Sequence, residues 1–283
     1  MSTEKFQLKI LVPIDGSTSS IMAEETAAEI AKKMDATITV LNVAQELKVA
    51  YPIPKDVENE IFGRIEQESE KIVNDALALF REEGLKANSI KSKSSDPAEN
   101  ILELCNDYDL IVMGARGQRE EDPYALGSVA KKVVRHTTCP TLIVKKVTRL
   151  ESLLICIDGS EHSLQAFKYA ANLAQKFGSK ITLINVQEPR IYDYAPQTAK
   201  DLGEKILLKA LELAGIEKVE VDKKVEFGIP SEKIVKVAER ENHDLIVLGS
   251  RGLGTVKRFL LGSVSDYVSQ KAKCSILIVP AKH

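Results

Sequence analysis

The feature that most restricts the fold of this chain is an internal repeat. Residues 109–117 (DLIVMGARG) return almost unchanged as residues 244–252 (DLIVLGSRG), 135 positions later. A unit repeated over this length predicts two copies of one domain, which we expect to cover residues 1–147 and 150–283. Further pairs match at the same offset or, near the start of each half, at an offset of 143: 126–129 with 261–264, 139–144 with 274–279, 14–17 with 157–160, and 42–43 with 185–186.

Composition agrees with two folded domains and excludes several other classes of protein. The chain has 283 residues, of which 44% are hydrophobic and 28% charged, the mix of an ordinary globular protein. Its net charge of −2 gives no basic field for nucleic acid or an anionic membrane. No apolar run approaches the ~20 residues of a membrane-spanning helix, and the N-terminus lacks the apolar core of a secretion signal. We therefore expect a cytoplasmic protein with neither a nucleic acid nor a membrane as partner.

The residue types that most often bind metals or act as nucleophiles show no functional spacing. The four cysteines form no C-x-x-C pair and three of them lie in or beside apolar segments, which predicts free, buried thiols. The four histidines share no metal-ligand spacing. Asp158, Ser160 and His162 fall within one tight turn, whereas a catalytic triad is normally assembled from separated segments. We predict neither a metal site nor a catalytic constellation.

Each half alternates short apolar strands with amphipathic helices. In the first half, strand-like segments begin at Leu8, Ala36, Ser89, Leu110 and Thr141, and the second half repeats this order. Continuous apolar strands separated by helices predict a parallel sheet covered on both faces. The fold class is therefore α/β, with two tandem, flavodoxin-like or Rossmann-like, doubly wound domains that each contain a five-stranded parallel sheet. A ligand site in such a fold lies beyond the strand C-termini, where the strand order reverses.

A glycine pattern follows the fourth predicted strand of each half. It reads G-x2-G-x9-G-S, and its final serine opens a helix. Glycines let the backbone approach an anion, and a helix N-terminus offers amide groups with partial positive charge, so the pattern suits a phosphate. The alternative is structural: the glycines make turns and the serines begin helices. The positions are Gly114, Gly117, Gly127 and Ser128 in the first half and Gly249, Gly252, Gly262 and Ser263 in the second.

Two further positions in each half follow predicted strands. Asp15 and Asp158 come after the first strand, where they could accept hydrogen bonds from ribose hydroxyls or place a metal-bound water. As an alternative, they open the turn before the next helix. Val43 and Val186 end the second strand, where they either wall an adenine pocket or belong to the core. The residues alone leave both pairs open.

Together these motifs resemble the universal stress protein family in its tandem two-domain form. The resemblance rests on the I-D-G-S and N-V segments and on both glycine patterns, and it covers nearly the whole chain. It implies a flavodoxin-like domain that, in the nucleotide-binding branch of the family, holds an adenine nucleotide, here ATP or AMP. It also implies that the aspartate contacts ribose or adenine, the valine lines the base and the glycine pattern wraps the phosphates. The implied nucleotide-binding residues are Pro13, Asp15, Val43, Met113, Gly114, Arg116, Gly117, Gly127, Ser128 and Val129, and Asp158, Val186, Leu248, Gly249, Arg251, Gly252, Gly262, Ser263 and Val264.

The resemblance further implies how the domains associate. Family members tend to pair through their final strands, here residues 141–144 and 275–279, whose apolar edges would otherwise favour aggregation. We therefore expect either a homo-oligomer or a pair of domains within one chain. Mg²⁺ could accompany the nucleotide.

The two glycine patterns differ in the charge of the nine residues inside them. Residues 118–126 contain one arginine and three acids, a net charge of −2, whereas residues 253–261 contain one lysine, one arginine and no acid, a net charge of +2. Positive charge close to a phosphate is favourable. We therefore expect tighter binding in the second domain, and weak, metal-assisted or no binding in the first.

The expected function is that of a nucleotide-responsive binding module in the stress response. Neither a Walker A pattern nor a general base paired with a nucleophile lies near the glycine patterns, so we expect at most slow ATP hydrolysis. Two other classes stay open: an enzyme of the adenine-nucleotide α-hydrolase type, and a scaffold that binds proteins without a nucleotide.

Overall fold

The computed structural model describes residues 7–45, 54–117, 125–215, 220–252 and 261–280, and in these each half forms five strands with helices between them. The first half contains β1 (Lys9–Ile14), α1 (Thr18–Met34), β2 (Thr37–Gln45), α2 (Lys55–Glu82), β3 (Ala87–Ser94), α3 (Pro97–Leu104), β4 (Leu110–Gly114), α4 (Ser128–His136) and β5 (Thr141–Val144). The second half contains β6 (Ser152–Cys156), α5 (Glu161–Phe177), β7 (Lys180–Gln187), α6 (Pro189–Tyr194), α7 (Pro196–Ala214), β8 (Val221–Phe227), α8 (Pro230–Arg240), β9 (Leu245–Gly249), α9 (Ser263–Lys271) and β10 (Ser275–Val279).

The ten described strands belong to one sheet, in the order β3-β2-β1-β4-β5-β10-β9-β6-β7-β8. Within each half the strands are parallel, and the order reverses between the first and the fourth strand of that half. This is the doubly wound arrangement. The predicted α/β class with two five-stranded parallel units is confirmed, and the two units share one continuous sheet.

The two units meet at their final strands. β5 and β10 run antiparallel and pair Ile143 with Ile276 and Leu142 with Leu277. These strands, expected to pair within or between chains, thus pair with each other inside this chain, and each covers the apolar edge of the other. The outermost strands of the sheet are β3 and β8, whose sequences ANSIKSKS and VDKKVEF are polar and carry lysines.

Side chains alternate between two buried layers, one on each face of the sheet. In β1, Ile10 belongs to the layer that includes α1, α2 and α5, whereas Leu11 belongs to the layer that includes α3, α4 and α8. Each layer contains residues from both halves; Phe80 and Phe167, for example, lie in the first of them. Burial on both faces explains why the central strands are apolar without interruption.

Serines begin the first helix of each half. The Oγ atoms of Ser17 and Ser160 each accept a hydrogen bond, 3.1 Å long, from the backbone N–H three residues later. Such N-caps satisfy an amide group that the helix itself leaves unpaired. The helices that follow the glycine patterns begin differently, because α4 and α9 have Gly127 and Gly262 as their N-cap residues.

Candidate functional site

The order of the strands brings the candidate residues of each half to one edge of the sheet. β1 lies beside β4, and β6 lies beside β9, so the segments that follow these strands meet where the strand order reverses. Asp15 follows β1 and Gly114 ends β4, while Asp158 and Gly249 take the same places in the second half. In this fold class, ligands bind at this position.

The aspartates after β1 and β6 form the turns that lead into α1 and α5. Oδ1 of Asp15 accepts a hydrogen bond from the Ser17 N–H at 3.0 Å, and Oδ1 of Asp158 accepts one from the Ser160 N–H at 2.9 Å. One oxygen of each carboxylate therefore has the turn-forming role that the sequence analysis gives as the alternative. Both aspartates are half-buried.

The second carboxylate oxygen of each aspartate lies against the second glycine of the glycine pattern. A Cβ atom on Gly117 would lie 2.8 Å from Oδ2 of Asp15, and one on Gly252 would lie 2.5 Å from Oδ2 of Asp158. Both distances are shorter than a carbon–oxygen contact can be, so a side chain at either glycine would displace the carboxylate. The structure thus brings together, in both halves, the aspartate and the loop glycine that the sequence singles out.

The first glycine of each pattern has a packing role. A Cβ atom on Gly114 would lie 2.7 Å from the backbone of Ser19 in α1, and one on Gly249 would lie 2.9 Å from the backbone of His162 in α5. These strand ends can approach the helix only without a side chain. Close packing is therefore a sufficient reason for both glycines, and this role differs from the turn that the sequence analysis gives as the structural alternative.

The loop of each glycine pattern is closed at its base by backbone hydrogen bonds. Gly127 N–H donates to the Ala115 carbonyl at 2.8 Å, and Gly262 N–H donates to the Ser250 carbonyl at 2.7 Å. Residues 118–124 and 253–260 lie outside the described residues. The predicted charge difference rests on the following residues of these segments: Arg119, Glu120, Glu121, Asp122, Lys257 and Arg258.

The third glycine of each pattern leaves the start of a helix without a side-chain cap. Gly127 and Gly262 have ordinary extended backbone angles, with φ of −62° and −73°. A Cβ atom on Gly262 would have its nearest neighbour at 3.5 Å, so its backbone does not need glycine for space. A side chain there would instead occupy the region in front of the first-turn amide groups, which suit an anion. Ser128 and Ser263, the first residues of these helices, are exposed.

Arg251 contributes an unsatisfied donor beside the second glycine pattern. Its Nε atom is buried and has no hydrogen-bond partner among the described residues. A buried donor without an acceptor costs free energy, which an anion at this position would recover. In the first half, Arg116 is held against α1 through its backbone, because its N–H donates to Ser19 Oγ and its carbonyl accepts from Ser17 Oγ, both at 3.3 Å.

Apolar residues form the remaining wall of each candidate site. Met113 and Leu248, which precede the first glycine, are buried in the layer that includes α3, α4 and α8. Val43 and Val186 are half-buried and pack on the same layer. Their places at the strand ends are compatible with both interpretations, core residue and wall of a base pocket. The other apolar candidates are also half-buried: Pro13, Val129 and Val264.

The first site has a buried neighbour that the sequence interpretation missed. Glu24 of α1 is only 5% exposed, and its Oε1 accepts a hydrogen bond from Ser20 Oγ at 2.9 Å. Ser20 Oγ in turn accepts the backbone N–H of Asp15 at 3.4 Å. Burial raises the pKa of Glu24 from its ordinary 4.5 to about 7. The signal in the sequence was a glutamate on the apolar face of α1, next to Ala23 and among residues that repeat with helical spacing.

The cysteines and His243, which the sequence assigns to no site, are buried in the protein. All four cysteines are free and buried, as predicted, and burial raises the pKa of the Cys274 thiol to about 11. His243 is buried, and its Nδ1 shares a hydrogen bond with Ser152 Oγ at 2.8 Å.

The described part of the chain contains no cluster of three or more potential metal ligands of the His, Cys, Asp or Glu type. None of its helices has the length and apolar character needed to cross a bilayer.

Comparison with known proteins gives one family by three routes. A profile of the Universal stress protein family matches residues 8–145 and again residues 150–280. A Staphylococcus aureus protein named as a universal stress protein is 36% identical over 140 residues, which are 46% of this chain and 83% of that protein. The crystal structure of a universal stress protein from Archaeoglobus fulgidus is 25% identical, covers 96% of both chains and has a TM-score of 0.73. A Pseudomonas aeruginosa structure, 14% identical and covering 96% of this chain and 92% of its own, shares the fold with a TM-score of 0.69.

The two matches of the family profile cover nearly the whole chain as consecutive units. The chain therefore belongs to the universal stress protein family, in its tandem form with two family domains. The resemblance inferred from the I-D-G-S, N-V and glycine motifs is confirmed.

Proposed function

We propose that this chain binds an adenine nucleotide, ATP or AMP, at the C-terminal edge of the sheet in each half. We further propose that it acts as a nucleotide-responsive binding module of the stress response, with at most slow hydrolysis. The observation that supports this proposal is the same geometry in both halves. In each, an aspartate carboxylate lies against a loop glycine, the loop is closed at its base, and a glycine-capped helix begins directly after it.

Each half contributes an equivalent set of residues to the proposed site. The aspartate accepts hydrogen bonds from ribose, the valine at the end of the second strand lines the base, and the glycine pattern with its serine donates hydrogen bonds to the phosphates. The residues of the first site are Pro13, Asp15, Val43, Met113, Gly114, Arg116, Gly117, Gly127, Ser128 and Val129. Those of the second are Asp158, Val186, Leu248, Gly249, Arg251, Gly252, Gly262, Ser263 and Val264.

A Mg²⁺ ion would enter such a site with the nucleotide. Mg²⁺ binds through a few carboxylates together with the phosphates and water. Among the described residues no ligand cluster stands ready for it. Asp15 and Asp158 would act on the ion through a bound water.

We propose tighter binding in the second half. The segment 253–261 carries a net charge of +2 against −2 for 118–126. The acid in the first turn of α9 does not cancel this advantage, because Asp266 is held by Arg135 at 2.9 Å and by Gln270 at 2.9 Å. The net effect at the phosphates is therefore favourable in the second half.

The proposed compartment is the cytoplasm. Four free thiols, all buried, suit a reducing environment, in which disulfides are rare. The partner that responds to the bound nucleotide would then be another cytoplasmic protein.

Mass spectrometry of the small molecules released from the purified, denatured chain tests the proposed function. We expect ATP or AMP, and we expect none from a chain that carries Gly127→Val and Gly262→Val together. A native chain that releases no nucleotide and shows no thermal stabilisation by millimolar ATP would be a scaffold instead. Rapid release of AMP or pyrophosphate from added ATP would indicate an enzyme of the α-hydrolase type.

A further inference from the structure

Glu24 is a buried carboxyl group surrounded by other acids. It is 5% exposed on the face of α1 that packs into the core. The charged groups that face it are Asp15 in the turn after β1, Asp75 in α2 and Glu25 in its own helix, and all three are acidic. Of the strands packed against α1, β2, β4 and β5 carry no ionisable side chain, and β1 carries only Lys9, which is exposed at the start of the strand. The surroundings therefore favour the protonated form of this carboxyl.

Hydrogen bonds connect Glu24 to the first candidate site. Ser20 Oγ donates to Glu24 Oε1 at 2.9 Å and accepts the Asp15 N–H at 3.4 Å. Asp15 in turn lies against Gly117, where a Cβ atom would be 2.8 Å from its Oδ2. Two hydrogen bonds and one close contact thus separate the buried carboxyl from the loop that would hold the phosphates.

The second half has no carboxyl group at the equivalent position. The repeat places Phe167 where Glu24 lies in the first half, and the phenyl ring is fully buried. Ser163, the equivalent of Ser20, donates its hydroxyl to the Ser160 carbonyl at 2.9 Å instead. The two copies therefore share the turn and differ in the ionisable group behind it.

We propose that Glu24 takes up a proton when the first half binds its nucleotide, so that the affinity of this site, and not of the second, rises as the pH falls through neutrality. The proposal rests on the proposed nucleotide binding and adds its regulation. Phosphates at the glycine pattern bring several negative charges towards a carboxyl that already faces three acids. Ionised Glu24 is then destabilised further, which raises its pKa above the value of about 7 in the free protein.

Proton linkage makes the effect measurable. If binding raises the pKa of Glu24 by about one, roughly 0.4 proton is taken up per nucleotide at pH 7, and the affinity falls about tenfold from acidic to alkaline pH. Calorimetry of Mg·ATP binding at pH 7, in two buffers of different ionisation enthalpy, gives the number of protons directly. The first site is isolated in a full chain that carries Gly262→Val, and the second in one that carries Gly127→Val.

The decisive comparison is between variants of the chain that carries Gly262→Val. Glu24→Gln, which keeps a hydrogen-bond partner for Ser20, removes the uptake at the first site, and Glu24→Phe, which copies Phe167, does the same. Glu29→Gln is the matched control, because it removes an exposed carboxyl from the same helix that is not among the acids facing Glu24, and it leaves the uptake unchanged. Ionisation of the nucleotide itself contributes equally to all these variants and cancels in their differences.

Two results overturn the proposal. Unchanged uptake in folded Glu24→Gln or Glu24→Phe shows that the proton goes elsewhere, and equal uptake at the two sites of the otherwise native chain shows that Phe167 makes no difference. In both cases the proposed function stands, because nucleotide is bound. A native chain that binds no nucleotide at all overturns the proposed function together with this inference.

Discussion

Glu24 and Phe167 occupy equivalent positions in α1 and α5, and both side chains are buried. A carboxyl group inside an apolar layer costs free energy that a phenyl ring does not. The hydrogen bond from Ser20 recovers part of that cost, since it stabilises the ionised form. At the scale of residues, Glu24 is therefore a group that makes the stability of this protein depend on pH near neutrality.

Glu24→Gln is expected to remove a pH dependence of stability. Because the pKa of Glu24 is raised from 4.5 to about 7 on folding, the unfolded chain holds fewer protons between these values, and the free energy of unfolding falls as the pH rises. The loss is complete above pH 7 and amounts to roughly 3 kcal/mol. Urea unfolding at pH 5 and pH 8 measures it. Glu29→Gln should keep the native difference in stability between the two pH values, and a Glu24→Gln chain that keeps the native slope would show that another group titrates.

The sequence predicts the residues of the candidate site better than it predicts the residues packed around them. Asp15 and the glycine at position 117 stand out because their residue types have few uses at a strand end, and the structure places them in contact. The apolar spacing of α1 places Glu24 on the buried face of the helix, but the acids that face it from other elements follow from tertiary contacts. The choice between core and base wall for Val43 stays open for the same reason, since a half-buried side chain serves both.

At the scale of elements, the first helix of each half packs unusually close to the end of the fourth strand. The contact of β9 with α5 is possible because Gly249 has no side chain, and Gly114 allows the same contact of β4 with α1. A glycine in α2 provides the opposite case, since a Cβ atom on Gly63 would meet no atom within 4 Å. The described residues thus include two glycines that packing requires, Gly114 and Gly249, and one, Gly63, that only weakens its helix.

Gly249→Ala is expected to destabilise the protein, and Gly63→Ala to stabilise it. The added methyl group at 249 would lie 2.9 Å from the His162 backbone, so α5 must shift, at a cost of roughly 1–3 kcal/mol. At 63 the same change favours the helix by about 0.5–1 kcal/mol. Thermal unfolding of the two variants checks both signs. A Gly249→Ala chain as stable as the native one would contradict the packing role.

Most element boundaries follow from local sequence, and the exceptions depend on tertiary contacts. The predicted strand starts at Leu110 and Thr141 agree with β4 and β5 to the residue, and the other three of the first half lie within two residues of the starts of β1, β2 and β3. α6 (Pro189–Tyr194) was not predicted, since six residues without an apolar repeat give no helical signal. A tertiary contact stabilises this helix, because Tyr192 stacks on Phe227 of β8 with ring centroids 4.3 Å apart.

At the scale of the whole molecule, the two halves form one structure. The β5–β10 ladder makes the sheet continuous, and both buried layers contain residues of both halves. Polar contacts also cross the junction: Arg135 binds Asp266 through two nitrogens at 2.9 and 3.1 Å, and Tyr169 donates to the Asp109 carbonyl at 3.1 Å. The repeat predicted the two domains, but pairing inside one chain could not be told from pairing between chains, because identical strand edges serve both.

Unfolding is therefore expected to be cooperative across the junction. Gly249→Ala, a change in the second half, should lower the hydrogen-exchange protection of β1 in the first half by the same free energy as that of β6. Hydrogen exchange followed by mass spectrometry measures both strands in one sample. Loss of protection confined to the second half would show that the halves unfold independently.

Calorimetric titration with ATP tests the central claim, that the repeated edge geometry forms two nucleotide sites of unequal strength. The native chain should bind in a tighter and a weaker phase; Gly262→Val should remove the tighter phase and Gly127→Val the weaker one. Gly63→Val, at a glycine that belongs to neither proposed site and has open space at its Cβ position, should leave both phases unchanged. A native chain without binding, or equal losses from Gly127→Val and Gly262→Val, would contradict the account.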